Sequence, residues 1–201
     1  MEIKNIIFDL GGVLIDWNPK YLFRKIFDSE AEIDWFLGNI CTYDWNLHQD
    51  AGRTWAEATQ ELIVQFPKYE SQILAYASRW EEMLGGEISE TVNILRELKQ
   101  DKKHHLFALT NWSAETFPIA QRKFGFLGWF EGTVVSGVEK TGKPFPEIYH
   151  ILLDRFGLNP AQSVFIDDSL PNVEMAEKLG IKGIHFQSPA QLRQDLSTLL
   201  H

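Results

Sequence analysis

The sequence predicts an α/β fold, with a Rossmann-like three-layer core around a parallel sheet and a helical cap inserted into it. Two observations support this prediction. From residue 89 onward, short apolar segments alternate with amphipathic segments, which is typical of a parallel sheet with right-handed crossovers. The first apolar segment ends near Phe8 and the next begins near His105, whereas a crossover needs only about a dozen residues. We therefore expect most of the chain between them to be an insertion.

The first strand and the later elements follow the same reasoning in order. Residues 3–10 form a near-continuous apolar run that stops at two glycines, as in a strand covered on both faces. The remaining strands are expected at residues 105–110, 133–135, 163–167 and 183–186. The helices are expected at residues 89–99, 113–124, 146–156, 171–179 and from 188 onward.

The insertion contains three amphipathic segments, at residues 19–27, 54–66 and 69–84. Pro19 suits a first helical turn, and Thr54 with Glu57 forms a capping box at the start of the second segment. Two glycines at 85 and 86 then break the helical pattern. We therefore expect a core of residues 1–15 and 87–201, and an all-helical cap of residues 16–86.

The composition indicates a globular protein with one large core. Of the 201 residues, 44% are hydrophobic and 23% are charged, and the net charge is −9. Because no basic stripe is visible, we expect neither nucleic acid nor an anionic membrane as a partner. A small phosphorylated metabolite remains compatible, since one positive pocket can lie within an acidic surface.

The single cysteine, Cys41, allows no intramolecular disulfide, which favours a reducing cytoplasm. We find no signal peptide and no run of about 18 apolar residues that could span a bilayer. The sequence leaves the assembly open between a monomer and a homodimer.

Polar side chains follow the predicted strands at the edge where open α/β sheets bind ligands. They are Asp9, Thr110, Asn111, Lys143, Asp167 and Asp168. Mg²⁺ prefers oxygen ligands of this kind, and Lys143 with Thr110 and Asn111 suits a phosphate dianion. Asp9, on a tight glycine-rich turn, suits a nucleophile. The sequence therefore predicts that a divalent cation and a phosphoryl group share this edge.

Each of these residues also has a structural explanation. Asp9 could belong to a turn, Asp168 could cap a helix, and Lys143 could be a solvated surface residue. Capping does not explain two adjacent acids at the end of a buried strand, because like charges repel unless a cation lies between them.

Taken in order, Asp9, Thr110-Asn111, Lys143-Pro144 and Asp167-Asp168 resemble the four motifs of the haloacid dehalogenase (HAD) superfamily. The helical insertion resembles the small cap of its phosphatase-like branch. The resemblance implies Asp9 as the nucleophile and Mg²⁺ as the cofactor. The implied phosphoryl-binding residues are Thr110, Asn111 and Lys143. The implied magnesium ligands are Asp9, the carbonyl of Gly11 and Asp168, with Asp167 as a direct ligand or as support.

The resemblance is incomplete at Gly11. Phosphatases of this superfamily usually carry a second aspartate there, which protonates the leaving group and then activates water. Losing a general acid/base typically costs about 10²–10⁴-fold in rate. The segment DLGGVLID resembles a branch that keeps glycine and includes sugar-phosphate phosphatases. Asp16, His48 and Asp50 are candidate replacements, since we expect them near the mouth of the site.

Three functions remain open from the sequence. The first is magnesium-dependent hydrolysis of small phosphomonoesters, with sugar phosphates as one class, through an aspartyl-phosphate. The second is a 2-haloacid dehalogenase, in which Asp9 attacks carbon without a metal. The third is a non-catalytic ligand-binding module. The polar and aromatic segment 41–53 is either a substrate-reading loop or a surface connection whose aromatic side chains pack between cap helices.

Overall fold

The computed structural model describes residues 2–200 and contains two sheets. Their strands are β1 (Asn5–Phe8), β2 (Ile15–Trp17), β3 (Leu84–Glu87), β4 (His105–Thr110), β5 (Gly132–Val135), β6 (Ser163–Asp167) and β7 (Lys182–His185). Five of them form a parallel sheet in the order β5-β4-β1-β6-β7. The pair β2 and β3 forms a separate antiparallel sheet.

Strand β1 lies in the centre of the parallel sheet, between β4 and β6, and all four of its residues are buried. Asn5 is opposite His105 of β4 on one side and Ser163 of β6 on the other. Ile6 packs into the core on one face of the sheet and Ile7 into the core on the opposite face. A continuous apolar run is what a strand buried on both faces requires, and the predicted α/β class is confirmed.

Strand β1 is shorter than the predicted run of residues 3–10. The chain leaves the sheet at Asp9, where the Leu10 amide donates a hydrogen bond to Asp9 Oδ1 at 2.7 Å. Leu10 is nevertheless fully buried beneath the turn. The apolar pattern therefore continues past the end of the strand.

The helices that cover the parallel sheet follow β3 in sequence. They are α6 (Ser89–Asp101), α7 (Phe117–Lys123), α8 (Ser136–Glu139), α9 (Pro146–Phe156), α10 (Leu170–Lys178) and α11 (Pro189–Leu199). The helices of the insertion, which precede β3, are α1 (Lys20–Phe23), α2 (Glu30–Asn39), α3 (Tyr43–Asp50), α4 (Trp55–Gln65) and α5 (Glu70–Ser78). Helices α6 and α11 pack with Ile6, whereas α9 and α10 pack with Ile7. Within residues 2–200, no helix has the length and apolar character that crossing a membrane requires.

The expectation of an all-helical insertion is wrong at both ends. Strands β2 and β3 pair where the chain enters and leaves the insertion, with Ile15 opposite Glu87. Gly85 lies within β3 instead of breaking a helix. Only glycine fits at this position, because a Cβ atom there would overlap the carboxylate of Asp16. The predicted helix over residues 69–84 is also divided, since α5 ends at Ser78 and a short 3-10 turn follows at Trp80–Met83.

Segment 41–53 folds mostly as helix α3, so the loop conformation predicted for it is wrong, whereas the predicted packing of aromatic side chains between insertion helices is found for Trp45. Its role in reading the substrate stays a prediction. The helix begins at Thr42, whose hydroxyl accepts a hydrogen bond from the Trp45 amide at 3.1 Å. Trp45 is buried against Trp55 and Tyr76, with ring centroids 5.7 and 5.2 Å away. One face of α3 therefore packs between the helices of the insertion.

Candidate active site

The carboxyl ends of β1, β4 and β6 meet beside a cavity of about 220 Å³. The core residues that line it are Asp9, Gly11, Gly12, Asn111, Trp112, Lys143, Asp168 and Asn172. The insertion contributes Trp17, Tyr43, Asn46, Leu47, Asp50 and Trp80. The structure thus brings Asp9, Asn111, Lys143 and Asp168 together, and it covers them with residues of the insertion.

The Lys143 ammonium lies between two carboxylates, 2.8 Å from Asp9 Oδ1 and 2.6 Å from Asp167 Oδ2. Burial alone would lower the pKa of Lys143, but attraction to Asp167 and Asp9 outweighs it and raises that pKa. Burial raises the pKa of Asp9, and Lys143 opposes this shift. Lys143 is therefore a fixed positive charge beside the Asp9 carboxylate.

Asp167 is fully buried, and hydrogen bonds engage both of its oxygens. Oδ1 accepts from the Ser169 amide at 2.8 Å and from Asn172 Nδ2 at 3.0 Å, while Oδ2 accepts from Lys143. The Tyr149 hydroxyl in turn donates to the Asn172 carbonyl at 2.8 Å. These contacts suit Asp167 to holding the Lys143 ammonium in place.

Three carboxylates at this edge could hold a divalent cation. Asp9, Asp167 and Asp168 each offer an oxygen within 4.8 Å of the others. Burial, followed by repulsion from Asp167, raises the pKa of Asp168. A bound cation would relieve this repulsion, and hard oxygen donors are the ligands that Mg²⁺ prefers. The residues present therefore fit a magnesium site.

The turn after Asp9 requires a glycine next to this cluster. Gly12 has a φ of +72°, and a Cβ atom there would overlap the Asp168 carboxylate. Gly11 lies in the same turn and lines the cavity. Gly12 thus lets the backbone approach the acidic cluster closely.

Asn111 and Thr110 occupy different positions around Lys143. Asn111 Oδ1 accepts from the Lys143 amide at 2.8 Å, and its Nδ2 donates to the Lys143 carbonyl at 2.9 Å. Asn111 therefore fixes the segment that carries the lysine. The Thr110 hydroxyl is buried at the end of β4 and has no hydrogen-bond partner among residues 2–200. Thr110 is absent from the cavity lining.

The structure separates the three candidate replacements for the missing aspartate. Asp16 accepts a hydrogen bond from the Tyr21 hydroxyl at 2.6 Å and is absent from the cavity lining. His48 is exposed on α3 and is likewise absent from it. Asp50 lines the cavity, and Asn46 Nδ2 donates to it at 3.0 Å. Of the three, Asp50 alone faces the same space as Asp9.

Asp50 is held over the core by its backbone and has an unusual protonation equilibrium. Its carbonyl accepts a hydrogen bond from the Ser136 hydroxyl, which itself accepts from the Trp112 amide at 2.9 Å. Burial raises the pKa of Asp50 to about 7, against a smaller opposing effect of the Ser113 backbone. Both protonation states of Asp50 are therefore populated near neutral pH.

Apart from Asp50, sequence reasoning did not single out the side chains that cover the cavity. We call Trp17, Tyr43, Leu47, Trp80 and Trp112 the apolar wall, because they are the large aromatic and aliphatic side chains of its lining. Trp112 had a usable signal, since it directly follows the strand-end pair Thr110-Asn111. Tyr43 and Leu47 had a weaker one, since they lie in segment 41–53, one interpretation of which was a substrate-reading loop. All of the wall except Trp112 belongs to the insertion, and its approach to the core depends on tertiary packing.

A Rossmann-like core with a buried aspartate and lysine at the carboxyl edge of its sheet defines a class of hydrolases. The chain belongs to the haloacid dehalogenase-like hydrolase family, whose profile matches residues 3–180. The predicted family and its hydrolase class are thereby confirmed.

Similar proteins include two named phosphatases. The chain is 28% identical to a sesquiterpene phosphatase from Aspergillus oryzae, over 98% of this chain and 96% of that protein. It is 24% identical to a phosphorylated carbohydrates phosphatase from Thermotoga maritima, over 91% of this chain and 84% of that protein. A HAD family enzyme from Bacteroides thetaiotaomicron, solved with magnesium and inorganic phosphate, superimposes with a TM-score of 0.70 at 28% identity, covering 92% and 94% of the two chains.

Proposed function

We propose that this protein is a magnesium-dependent phosphatase that hydrolyses small phosphomonoesters through an aspartyl-phosphate on Asp9. The observation that carries the proposal is the Lys143 ammonium, which lies between Asp9 and Asp167 beside the exposed carboxylate of Asp168. The names of the two related phosphatases and the magnesium and phosphate in the related structure support it. Sugar phosphates are one substrate class within this proposal.

Asp9 is proposed to attack phosphorus in line, so that an Asp9 oxygen–phosphorus bond forms as the bond to the alcohol oxygen breaks. Water then cleaves the aspartyl-phosphate, which releases phosphate and restores the carboxylate. Lys143, 2.8 Å from Asp9, offsets charge on the equatorial phosphoryl oxygens. Thr110 does not line the cavity, so its proposed contact with the same group requires its unpartnered hydroxyl to become accessible when the phosphoryl group binds. Asn111 positions the Lys143 segment.

The magnesium ligands in this proposal are Asp9, the carbonyl of Gly11 and Asp168, with Asp167 supporting them. When bound, the ion supplies Lewis-acid stabilisation of the phosphoryl oxygens. Gly12 lets the Asp168 carboxylate lie against the turn that follows Asp9.

Residues 16–86 are proposed to act as a cap over a core of residues 1–15 and 87–201. In the structure the insertion contacts the core through the Ser136 hydroxyl on the Asp50 carbonyl and through the Trp55 amide, which donates to Glu115 Oε1 at 2.9 Å. Opening of this contact would admit substrate, and closure would exclude water from the reacting phosphoryl group.

Assays of two substrates separate this function from the two rival hypotheses. With Mg²⁺ we expect the protein to hydrolyse p-nitrophenyl phosphate, to lose this activity in EDTA, and to release no chloride from 2-chloropropionate. The three clustered carboxylates are the physical reason, because they favour a bound cation. Chloride release without Mg²⁺ would instead support a dehalogenase. Binding of phosphate and Mg²⁺ without turnover would support a non-catalytic module.

Asp50 is proposed to take the proton role that Gly11 cannot fill. In its protonated form it would donate to the departing alcohol oxygen, and in its ionised form it would accept a proton from the attacking water. A group with a pKa of about 7 supplies both forms at neutral pH.

An Asp50→Asn variant tests this role by its dependence on the leaving group. We expect kcat for an alkyl phosphate to fall about 10²-fold or more, with a much smaller loss for p-nitrophenyl phosphate, whose leaving group needs little protonation. His48→Gln, a change of an exposed residue on the same helix, is the control and is expected to keep both rates. Equal losses on both substrates would contradict the role.

The same variant has an independent effect on stability. Because the folded-state pKa of Asp50 is raised, its contribution to folding is fully present below about pH 4 and is lost as pH rises to about 7. An asparagine at this position does not ionise, so the Asp50→Asn variant does not lose this contribution to stability as pH rises. The unfolding free energy of the variant relative to the parent is therefore expected to increase by about 1 kcal/mol or more between pH 5 and pH 8.

A further inference from the structure

The cavity beside Lys143 and Asp9 is bounded mainly by hydrocarbon. The apolar wall contributes three indoles, one phenol ring and one leucine. Trp80 and Trp112 are almost fully buried, with ring centroids 5.5 Å apart, so this part of the wall is rigid. A group bonded to a phosphoryl at Asp9 would lie beside these rings, because they line the same cavity as Asp9.

The amide side chains that line the cavity are already engaged by protein groups. The side-chain amide of Asn111 makes two hydrogen bonds to the Lys143 backbone, one through its oxygen and one through its nitrogen. Asn46 donates to Asp50 and accepts from the Tyr76 hydroxyl at 3.2 Å. Asn172 donates to Asp167. Outside the phosphoryl-binding residues, the lining leaves four groups to contact hydroxyls. They are the Asp50 carboxylate, the Tyr43 phenol and the indole N–H groups of Trp17 and Trp112, which have no hydrogen-bond partner among residues 2–200.

Exposed apolar side chains occur around the same site. Tyr43 is 67% exposed and lines the cavity. Phe145 is 63% exposed and follows Lys143 by two residues, and Leu170 is 48% exposed and follows Asp168 by two residues. Phe145 and Leu170 do not line the cavity, but each is two residues from a residue that does. Large apolar side chains are costly to leave in water, so Tyr43 with these two neighbours could contact a ligand that has apolar surface.

We propose that the substrate is a phosphomonoester of an apolar alcohol, with an aryl or branched alkyl group that lies against the apolar wall and reaches Phe145 and Leu170. This inference rests on the phosphatase function proposed above and specifies its substrate class. A polyhydroxylated group would find few partners beyond Asp50, Tyr43 and the indole N–H groups of Trp17 and Trp112, and each hydroxyl left unpaired costs binding free energy. Sugar phosphates are therefore the disfavoured class, although sugar carbons can stack on aromatic rings.

The test compares alkyl phosphates whose alcohols differ in polarity. With Mg²⁺ we expect kcat/KM for 2-phenylethyl phosphate and 3-methylbutyl phosphate to exceed that for ribose 5-phosphate and glycerol 1-phosphate by about tenfold or more. Equal or greater kcat/KM for the two polyol esters would overturn the inference. If p-nitrophenyl phosphate is nevertheless hydrolysed in the presence of Mg²⁺, the phosphatase function survives that outcome.

A binding measurement decides the inference even if no ester is hydrolysed. Intrinsic tryptophan fluorescence should report ligands at the apolar wall, and phosphonates cannot be cleaved. We expect 2-phenylethylphosphonate to bind with a Kd about tenfold or more below that of 2,3-dihydroxypropylphosphonate. Equal Kd values, or tighter binding of the dihydroxy compound, would overturn the inference independently of turnover.

Surface variants test the two residues outside the cavity. Phe145→Ser and Leu170→Ser are each expected to raise the Kd for 2-phenylethylphosphonate about threefold or more, since each removes apolar contact area at an exposed position that does not disturb the core. Val64→Ser, at a 73% exposed position on α4, makes a matched apolar-to-polar change and is expected to leave this Kd unchanged. Responses no larger than that of Val64→Ser would remove Phe145 and Leu170 from the proposal.

Discussion

Asp9→Asn is expected to lower kcat for p-nitrophenyl phosphate by about 10⁴-fold or more, because an amide oxygen cannot form the covalent intermediate. The change is nearly isosteric. It leaves Lys143 paired with Asp167 at 2.6 Å, so the fold is expected to persist. Steady-state kinetics with saturating Mg²⁺ measure the effect, and thermal unfolding shows whether the variant is folded.

Asp16→Asn is a matched carboxylate-to-amide change outside the cavity. Its carboxylate accepts from the Tyr21 hydroxyl, and an amide oxygen can keep that contact. We expect this variant to retain nearly the full rate. If Asp9→Asn retained a rate similar to that of Asp16→Asn, Asp9 would not be the nucleophile and the proposed mechanism would be wrong.

Lys143→Met is expected to abolish hydrolysis and also to destabilise the fold by about 3–5 kcal/mol, because it leaves two buried carboxylates without their counterion. Chemical denaturation in EDTA measures the loss, since bound Mg²⁺ would compensate part of it. With the ammonium gone, burial raises the pKa of Asp9 without the opposing effect of Lys143. The loss is therefore expected to be small near pH 4 and to grow as pH rises.

The double variant Lys143→Met/Asp167→Asn separates the two effects of the lysine. Removing the second buried charge is expected to restore much of the lost stability, while activity stays absent because no ammonium faces the phosphoryl group. A single Lys143→Met variant as stable as the parent at pH 8 would contradict the buried ion pair. Activity in the double variant would contradict the proposed role of Lys143.

The sequence is sufficient to predict the core of the site because its residues follow buried apolar runs. Asp9 ends the run that forms β1, and Asp167 ends the run that forms β6, so both must lie at the carboxyl edge of a parallel sheet. Lys143 lies farther from its strand. Its place at the same edge was expected from the short strand at residues 133–135 that precedes it, and the Asn111 contacts with its backbone show how the segment reaches the sheet edge.

Helix α3 was not predictable from its pattern because its buried face is partly polar. Asn46 and Gln49 are both buried, and each is satisfied by a specific partner: Tyr76 for Asn46, and the Trp45 carbonyl for Gln49. Such residues look solvent-exposed in a sequence. The position of Asp50 depends on Ser136, a contact across 86 residues that leaves no local signal.

The pairing of β2 with β3 has a mechanical consequence. Both passages of the chain between the core and the insertion run side by side and are hydrogen-bonded to each other. They form a ribbon, which bends more readily across its thin dimension than within its plane. The insertion is therefore expected to tilt as one rigid body. Asp50 and those residues of the apolar wall that belong to the insertion would then approach or leave Asp9 together.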